Sequence, residues 1–151
     1  MAQQMFVARV SGQALAAAAT ETLVQIVTTT NQRVRVRGWG VSFNGNDATK
    51  QPILAEVLRQ TTAGTSSALT VVKADPASTT PVTTALQSFS AEPTASDVLW
   101  SQYFTPVGGG IDLTLYPDDE IVMGASTRLG IRVTTVTGVT CDASAYIRFV
   151  E

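Results

Sequence analysis

In the stretch from Arg33 to Gly45, RVRVRGWGVSFNG, charged and apolar residues first alternate one for one, and similar alternation recurs down the chain. A period of two matches the β-strand, whose successive side chains leave on opposite faces. Segments of this kind are read at Gln4–Val10, Thr22–Val27, Arg33–Asn44, Pro52–Gln60, Ser67–Lys73, Ala85–Ser90, Val98–Phe104, Gly110–Leu115, Glu120–Met123, Arg128–Val136 and Ser144–Val150. The glycines at 38 and 40 mark a bulge or corner within the third of them. Thr, Ala and Val are the commonest residues, and only 15% of the chain is charged, so composition favours strands as well.

Between these segments lies turn chemistry: NGND at 44–47, TTAGTSS at 61–67, ADPASTTP at 74–81, AEPTASD at 91–97, TPVGGG at 105–110 and YPDDE at 116–120. Asn and Gly supply positive φ, and Pro starts turns. The segment Gln13–Ala19, QALAAAA, reads either as a short helix or as a small-residue edge strand, since Ala favours helix but the run is too short to hold one alone. Short strands with turns every 8–15 residues, roughly, are the pattern of a sandwich or barrel. The expectation is one all-β domain over residues 1–151, an antiparallel β-sandwich of about eight to ten strands with little helix. A jelly roll is the leading topology and the immunoglobulin type the second. Residues 1–10 are read either as a strand of this sandwich or as a strand extended onto, or exchanged with, a neighbour.

The chemistry available is narrow. The chain has no His, which removes His-based nucleophile pairs, His metal sites and His pH switches. Its single cysteine, Cys141, allows no internal disulfide and reads as a small core residue. The GGG at 108–110 precedes an alternating segment, so it reads as a bulge or turn in preference to a phosphate cradle. Asp118, Asp119 and Glu120 lack EF-hand spacing and read as a solvated turn. The other carboxylates, Glu21, Asp47, Glu56, Asp75, Glu92, Asp97 and Asp112, are scattered, with no pairing legible for glycoside chemistry. No catalytic residue, cofactor or metal ligand is assigned, and the chain is read as a non-enzyme.

A net charge of −2 and a pI near 5.0 argue against nucleic acid as a partner. No apolar run approaches the roughly 20 residues of a membrane helix, so no membrane partner is expected. The opening MAQQMFVARV lacks the pattern of a secretory leader, which points to synthesis in a cytoplasm. The candidate contact face is Arg33, Arg35, Arg37 and Trp39. Period-two geometry puts the three arginines on one side, and Trp39 joins them unless a bulge turns it inward. Such a face is either solvated, with arginine stems over apolar surface, or a site for the carboxylates of another protein chain.

The phrases VRGWGVSFNG, LRQTTAGTSSALT, AEPTASDVL and ASAYIRFVE lie within a resemblance that covers about Ser11 to Glu151. The chain resembles small β-rich proteins of tailed-bacteriophage virions, of the jelly-roll capsid decoration (cement) kind. The resemblance implies a homotrimer on the outer capsid surface that clamps neighbouring major capsid protein subunits, made in the host cytoplasm and ending in the virion. It carries over no functional residue. Two rival readings are a self-assembling coat protein and a carbohydrate- or receptor-binding module of a head or tail fibre, with Trp39, Trp100, Tyr103 and Tyr116 as sugar platforms.

Overall fold

A computed structural model describes residues 3–46 and 51–151; Asp47, and with it the end of the NGND turn, lies outside the described residues. The alternating segments form twelve strands, with no helix among the described residues. They are β1 (Met5–Leu15), β2 (Thr20–Val27), β3 (Val34–Asn44), β4 (Ile53–Gln60), β5 (Thr65–Leu69), β6 (Val71–Lys73), β7 (Thr84–Ala91), β8 (Ala95–Phe104), β9 (Val107–Thr114), β10 (Ile121–Met123), β11 (Arg128–Thr134) and β12 (Cys141–Val150).

Every pairing among the described residues is antiparallel, and the principal ladders are nested. The first strand pairs with the last, β2 with β11, β3 with β9 and β10, and β4 with β8. This nested ribbon is rolled into two sheets: β12 also pairs with β3, and β11 also with β4. One sheet runs β10-β3-β12-β1-β6, with β9 sharing the β10 side of β3; the other runs β5-β7-β2-β11-β4-β8. Strands β9 and β10 line successive stretches of one edge of β3, separated by the excursion at 115–120.

The inner faces make the core. From the first sheet come Phe6, Ala8 and Val10, then Val34, Val36, Trp39, Val41 and Phe43, then Ala143, Ala145, Ile147 and Phe149. From the second come Leu23, Val24, Ile26, Ile53, Ala55, Val57, Leu129, Ile131 and Val133. Fully burying one such side chain contributes about 1.5–3 kcal/mol, so alternation fixes which face turns inward and hence the register.

The β4–β8 ribbon does not stop at the end of its sheet. It runs on through residues 61–64 and 92–94 as the β5–β7 pair. Gly64 sits in this bend at φ +63, against the Ala91 carbonyl, where a Cβ has no room. The ribbon crosses the outer face of the second sheet and docks at its far edge, where β7 pairs Thr84–Leu86 with Gln25–Val27. Strand β6 then pairs with Phe6–Ala8 at the edge of the first sheet. The arm therefore closes one flank of the sandwich. Beneath the crossing, Leu58, Gln25 and Gln60 are buried although they face outward. Gln25 Nε2 donates to Gln60 Oε1 (2.7 Å) and the Thr62 carbonyl (3.1 Å), Gln60 Nε2 donates to Thr22 Oγ1 (3.1 Å), and Glu92 accepts the Thr22 N–H (2.8 Å). Buried amides need such partners, because an unpaired one costs about 1–3 kcal/mol.

Three expectations are refined. The strands number twelve, because the arm adds three and the excursion at 115–120 divides another. The alanine segment makes no helix: Gln13–Leu15 finish β1, Leu15 is buried, and Ala18 turns at φ +52 into β2. Trp39 leaves the arginine face. Arg148 pairs with Gly38 but Phe149 with Val36, so Arg37 is the extra residue of a bulge, and Trp39 points inward at 1% exposure.

Residues 5–10 lie within the chain's own sandwich, between β12 and β6. Phe6→Ala should therefore lower stability by about 3–5 kcal/mol in urea unfolding. Deleting residues 1–8, which removes Phe6 and Ala8, should abolish the cooperative transition; a strand held by a neighbour would leave it intact.

Candidate interaction surfaces

The arginine face is largely occupied by the chain itself. Glu120, at the start of β10, is tucked beneath it with its side chain 3% exposed. It pairs with Arg37 and, at 3.6 Å, with Arg35, while Arg37 Nη2 donates to Gln3 Oε1 at 2.6 Å. Arg33 is exposed just before β3. The PDDE acids are thus divided: Glu120 neutralises the strand, while Asp118 and Asp119 stay exposed in a turn closed by the Asp119 N–H on the Tyr116 carbonyl (2.9 Å).

Other carboxylates are engaged singly. Glu56 takes Arg132 through Nε (2.9 Å) and Nη2 (2.7 Å), Asp75 accepts the Ala77 N–H (2.9 Å), and Glu21 accepts the Ala16 N–H (3.3 Å). Among the described residues no three metal-ligating side chains come together. Cys141 is buried at the start of β12; burial, then the charge of Asp142, pushes its thiol up.

Two surfaces remain open. The first is the flank opposite the arm. There, among the described residues, β8 has only β4 beside it and β9 only β3, so both sheets end in strands with an edge that no described strand covers. An aromatic chain fills the space behind: Trp39 to Trp100 (4.2 Å between ring centroids), Trp100 to Phe104 (6.1 Å) and Phe104 to Phe43 (6.0 Å). In front of it Val98, Leu99, Tyr103 and Val107 are exposed, Tyr103 by 67%. Leu99 is the extra residue of a bulge between the Leu58–Val98 and Val57–Trp100 pairs. From Val98 to Phe104, VLWSQYF, there is no charge. Of the four aromatics considered as sugar platforms, Trp39 is buried and lies against Trp100 within this flank; Tyr103 and Tyr116 are exposed on separate elements.

The second open surface is the outer face of the first sheet, where register sets side chains in rows. One row is Arg9–Tyr146–Gly40–Asp112, another Val7–Arg148–Gly38–Thr114. With no side chain on Gly40, the Tyr146 ring lies flat across β3; a Cβ there would meet its Cε1 at 2.5 Å. The phenol hydroxyl reaches Asp112 Oδ1, and Arg148 Nη2 reaches the same oxygen (3.2 Å) and Thr114 Oγ1 (2.9 Å). The next row, Ser144–Ser42–Gly110, has no large side chain. The step between rows leaves a trough of about 610 Å³ running across β1, β12, β3 and β9. Burial, then the hydrogen bond to Asp112, pushes the Tyr146 phenol up to about 12.

The sequence carried a cue to each surface: the uncharged VLWSQYF for the flank, and for the face a glycine inside a strand, which often marks close approach by another group. Comparison with protein-family models, with curated proteins and with solved structures gives no match.

Tyr146 makes a prediction in alkali. Its folded value is raised above the ordinary 10.0, so its stabilising contribution is complete below pH 10 and is lost as pH rises toward 12. In an ultraviolet titration, the difference between wild type and Tyr146→Phe should show one phenol ionising near pH 12. A difference centred near pH 10 would contradict the Asp112 contact.

Proposed function

We propose that this chain is a structural virion protein, a jelly-roll capsid decoration protein that binds the outside of a bacteriophage head. It acts by association and not by turnover. The nested order supports the jelly-roll assignment: eight principal strands, β1 to β4, β8, β9 with β10, β11 and β12, pair first with last and inward from there. A rolled antiparallel ribbon of eight strands is the jelly-roll path, and the β5–β7 arm is an insertion between the fourth and fifth.

One observation carries the functional reading: the contrast between the two flanks. The arm covers one flank with the chain's own strands. The other presents two free strand edges with exposed Val98, Leu99 and Tyr103 over a rigid aromatic backing. From Val98 to Phe104 the β8 edge carries no charge, Asp97 being the one charge in the strand, and such a stretch is a hazard for a free monomer that proteins otherwise blunt with charge, proline or a cover. A partner chain is the cover that fits: it buries the side chains and takes up the edge N–H and C=O groups. In the proposed role those partners are a sister copy in a homotrimer and the major capsid protein. Binding to the assembled shell and not to free subunits stabilises the shell by mass action, by about 2.7 kcal/mol per site at roughly one hundred times Kd.

The test is binding of the purified chain to heads of the encoding phage prepared without it, with native mass measured by light scattering. Tyr103→Lys and Leu99→Asp should each weaken head binding by about thirtyfold, the scale of an interface hot spot. Neither should change the unfolding free energy by more than about 0.5 kcal/mol, since both side chains are exposed. Head binding that is absent in wild type, or that ignores both substitutions, would overturn the reading.

A further inference from the structure

The trough on the outer face of the first sheet belongs to neither the flank nor the arm. We propose that it is a saccharide-binding site, with Tyr146 and Asp112 as one wall and the Ser144–Ser42–Gly110 row as the floor. The wall is preorganised. Gly40 lets the Tyr146 ring lie flat, and Asp112 Oδ1 fixes both its hydroxyl and the Arg148 guanidinium. All of these contacts use Oδ1, and the Asp112 side chain is 72% exposed, so Oδ2 is directed to solvent as an acceptor. The Arg148–Asp112 ion pair in this cluster adds little to folding, since exposed ion pairs contribute about 0–1 kcal/mol. Its fixed geometry matters for a ligand that would otherwise have to order it.

The chemistry selects the class of ligand. The backbone groups of β1, β12 and β3 along the trough are already engaged in the ladders, so a peptide strand finds partners only at the outer edge of β9, where the trough ends, and not across its floor. Arg148 is held by Asp112, and Arg9 makes its side-chain hydrogen bond to Ser11 (3.1 Å); that leaves too little positive charge for a phosphate backbone. The floor row is hydroxyl and glycine, and although Val7 and other aliphatic residues contribute apolar lining, the trough is open and shallow and does not enclose an acyl chain. What the trough fits best is a neutral ligand rich in hydroxyls, each able to donate to Asp112 Oδ2 and accept from serine or Arg9, with a C–H face to rest on the part of the Tyr146 ring that Arg148, 5.2 Å from its centroid, leaves open. The trough crosses four strands, three spacings of about 4.8 Å, or roughly 14 Å, which gives it the length of a short oligosaccharide.

The test is titration of the ¹⁵N-labelled full chain with maltotriose, cellotriose, laminaritriose, mannotriose and triacetylchitotriose, followed by amide shifts. At least one trisaccharide should move the amides of residues 40–42, 110–112 and 144–146 in a saturable way. Asp112→Ala, which removes the acceptor, and Ser42→Tyr, which fills the floor, should each raise Kd by at least about tenfold. Asp118→Asn, in the exposed turn, should leave it unchanged. If Ser42→Tyr disturbs folding, Asp112→Ala alone decides. No saturable shift at those amides with any of the five sugars would overturn the proposal, as would an unchanged Kd in Asp112→Ala. Neither outcome bears on head binding through the flank.

Discussion

The ladder between β1 and β12 is the constraint on which the rest of this sandwich depends. It ties Met5 to Val150 and Leu15 to Cys141, nearly the whole length of the chain apart. Closing so long a loop is opposed by entropy, but that cost rises only with the logarithm of length, and the inner ladders β2–β11, β3–β9 and β4–β8 then close progressively shorter loops. The reward is Phe6 against Phe149, with centroids 5.9 Å apart, and both inner faces sealed from water. With the outer ladder formed, β12 lies between β1 and β3, and β11 takes the matching place between β2 and β4 in the facing sheet. Fold and register follow from this rolling.

Much of the fold was legible because alternation and turn chemistry are local properties. Every strand segment read from the sequence matches a strand of the structure, with Ser67–Lys73 split at Thr70 into β5 and β6. What was not legible is what depends on a partner distant in sequence. Alternation in Pro52–Gln60 puts Leu58 and Gln60 on the side away from Ile53, Ala55 and Val57, but nothing local says that the arm will cross that side and bury them. The bulge at Arg37 arises from how β3 meets β12, so RVRVRGWG alone left the side taken by Trp39 open. Glu120 likewise reads as part of a solvated turn, until β10 docks beside β3 and sets it under Arg35 and Arg37. Gly40 hinted at close approach but did not name Tyr146 as what approaches.

The arm gives the molecule its asymmetry. A rolled ribbon of eight strands has two outer faces and two flanks, and by itself would leave all four to solvent. Extending the β4–β8 ribbon by one further antiparallel pair covers an outer face and a flank together. The cover is held by few ladder pairs and by buried amides, with Gln25 and Gln60 bonded to each other and to Thr62 and Thr22. Such a lock is directional in a way that apolar packing is not: it holds only when the bend at 61–64 sits in one register, which Gly64 permits. The arm so fixed leaves one flank and one face free.

Those two free surfaces differ in chemistry, and that difference bears on what can occupy each. The flank offers unpaired backbone edges and apolar side chains, which suit another polypeptide. The sheet face has the backbone groups of β1, β12 and β3 already paired and offers a carboxylate oxygen, hydroxyls and a phenol, which match a sugar better than a strand. Trp39 and Gly40 are adjacent in β3 and serve opposite sides of it: the indole stiffens the flank from within, and the missing side chain lets Tyr146 shape the trough outside. The Arg37 bulge sets that phase. Without it, Trp39 and Gly40 would exchange faces, leaving the indole in solvent and Tyr146 without its seat, so a single irregularity in one strand coordinates both surfaces.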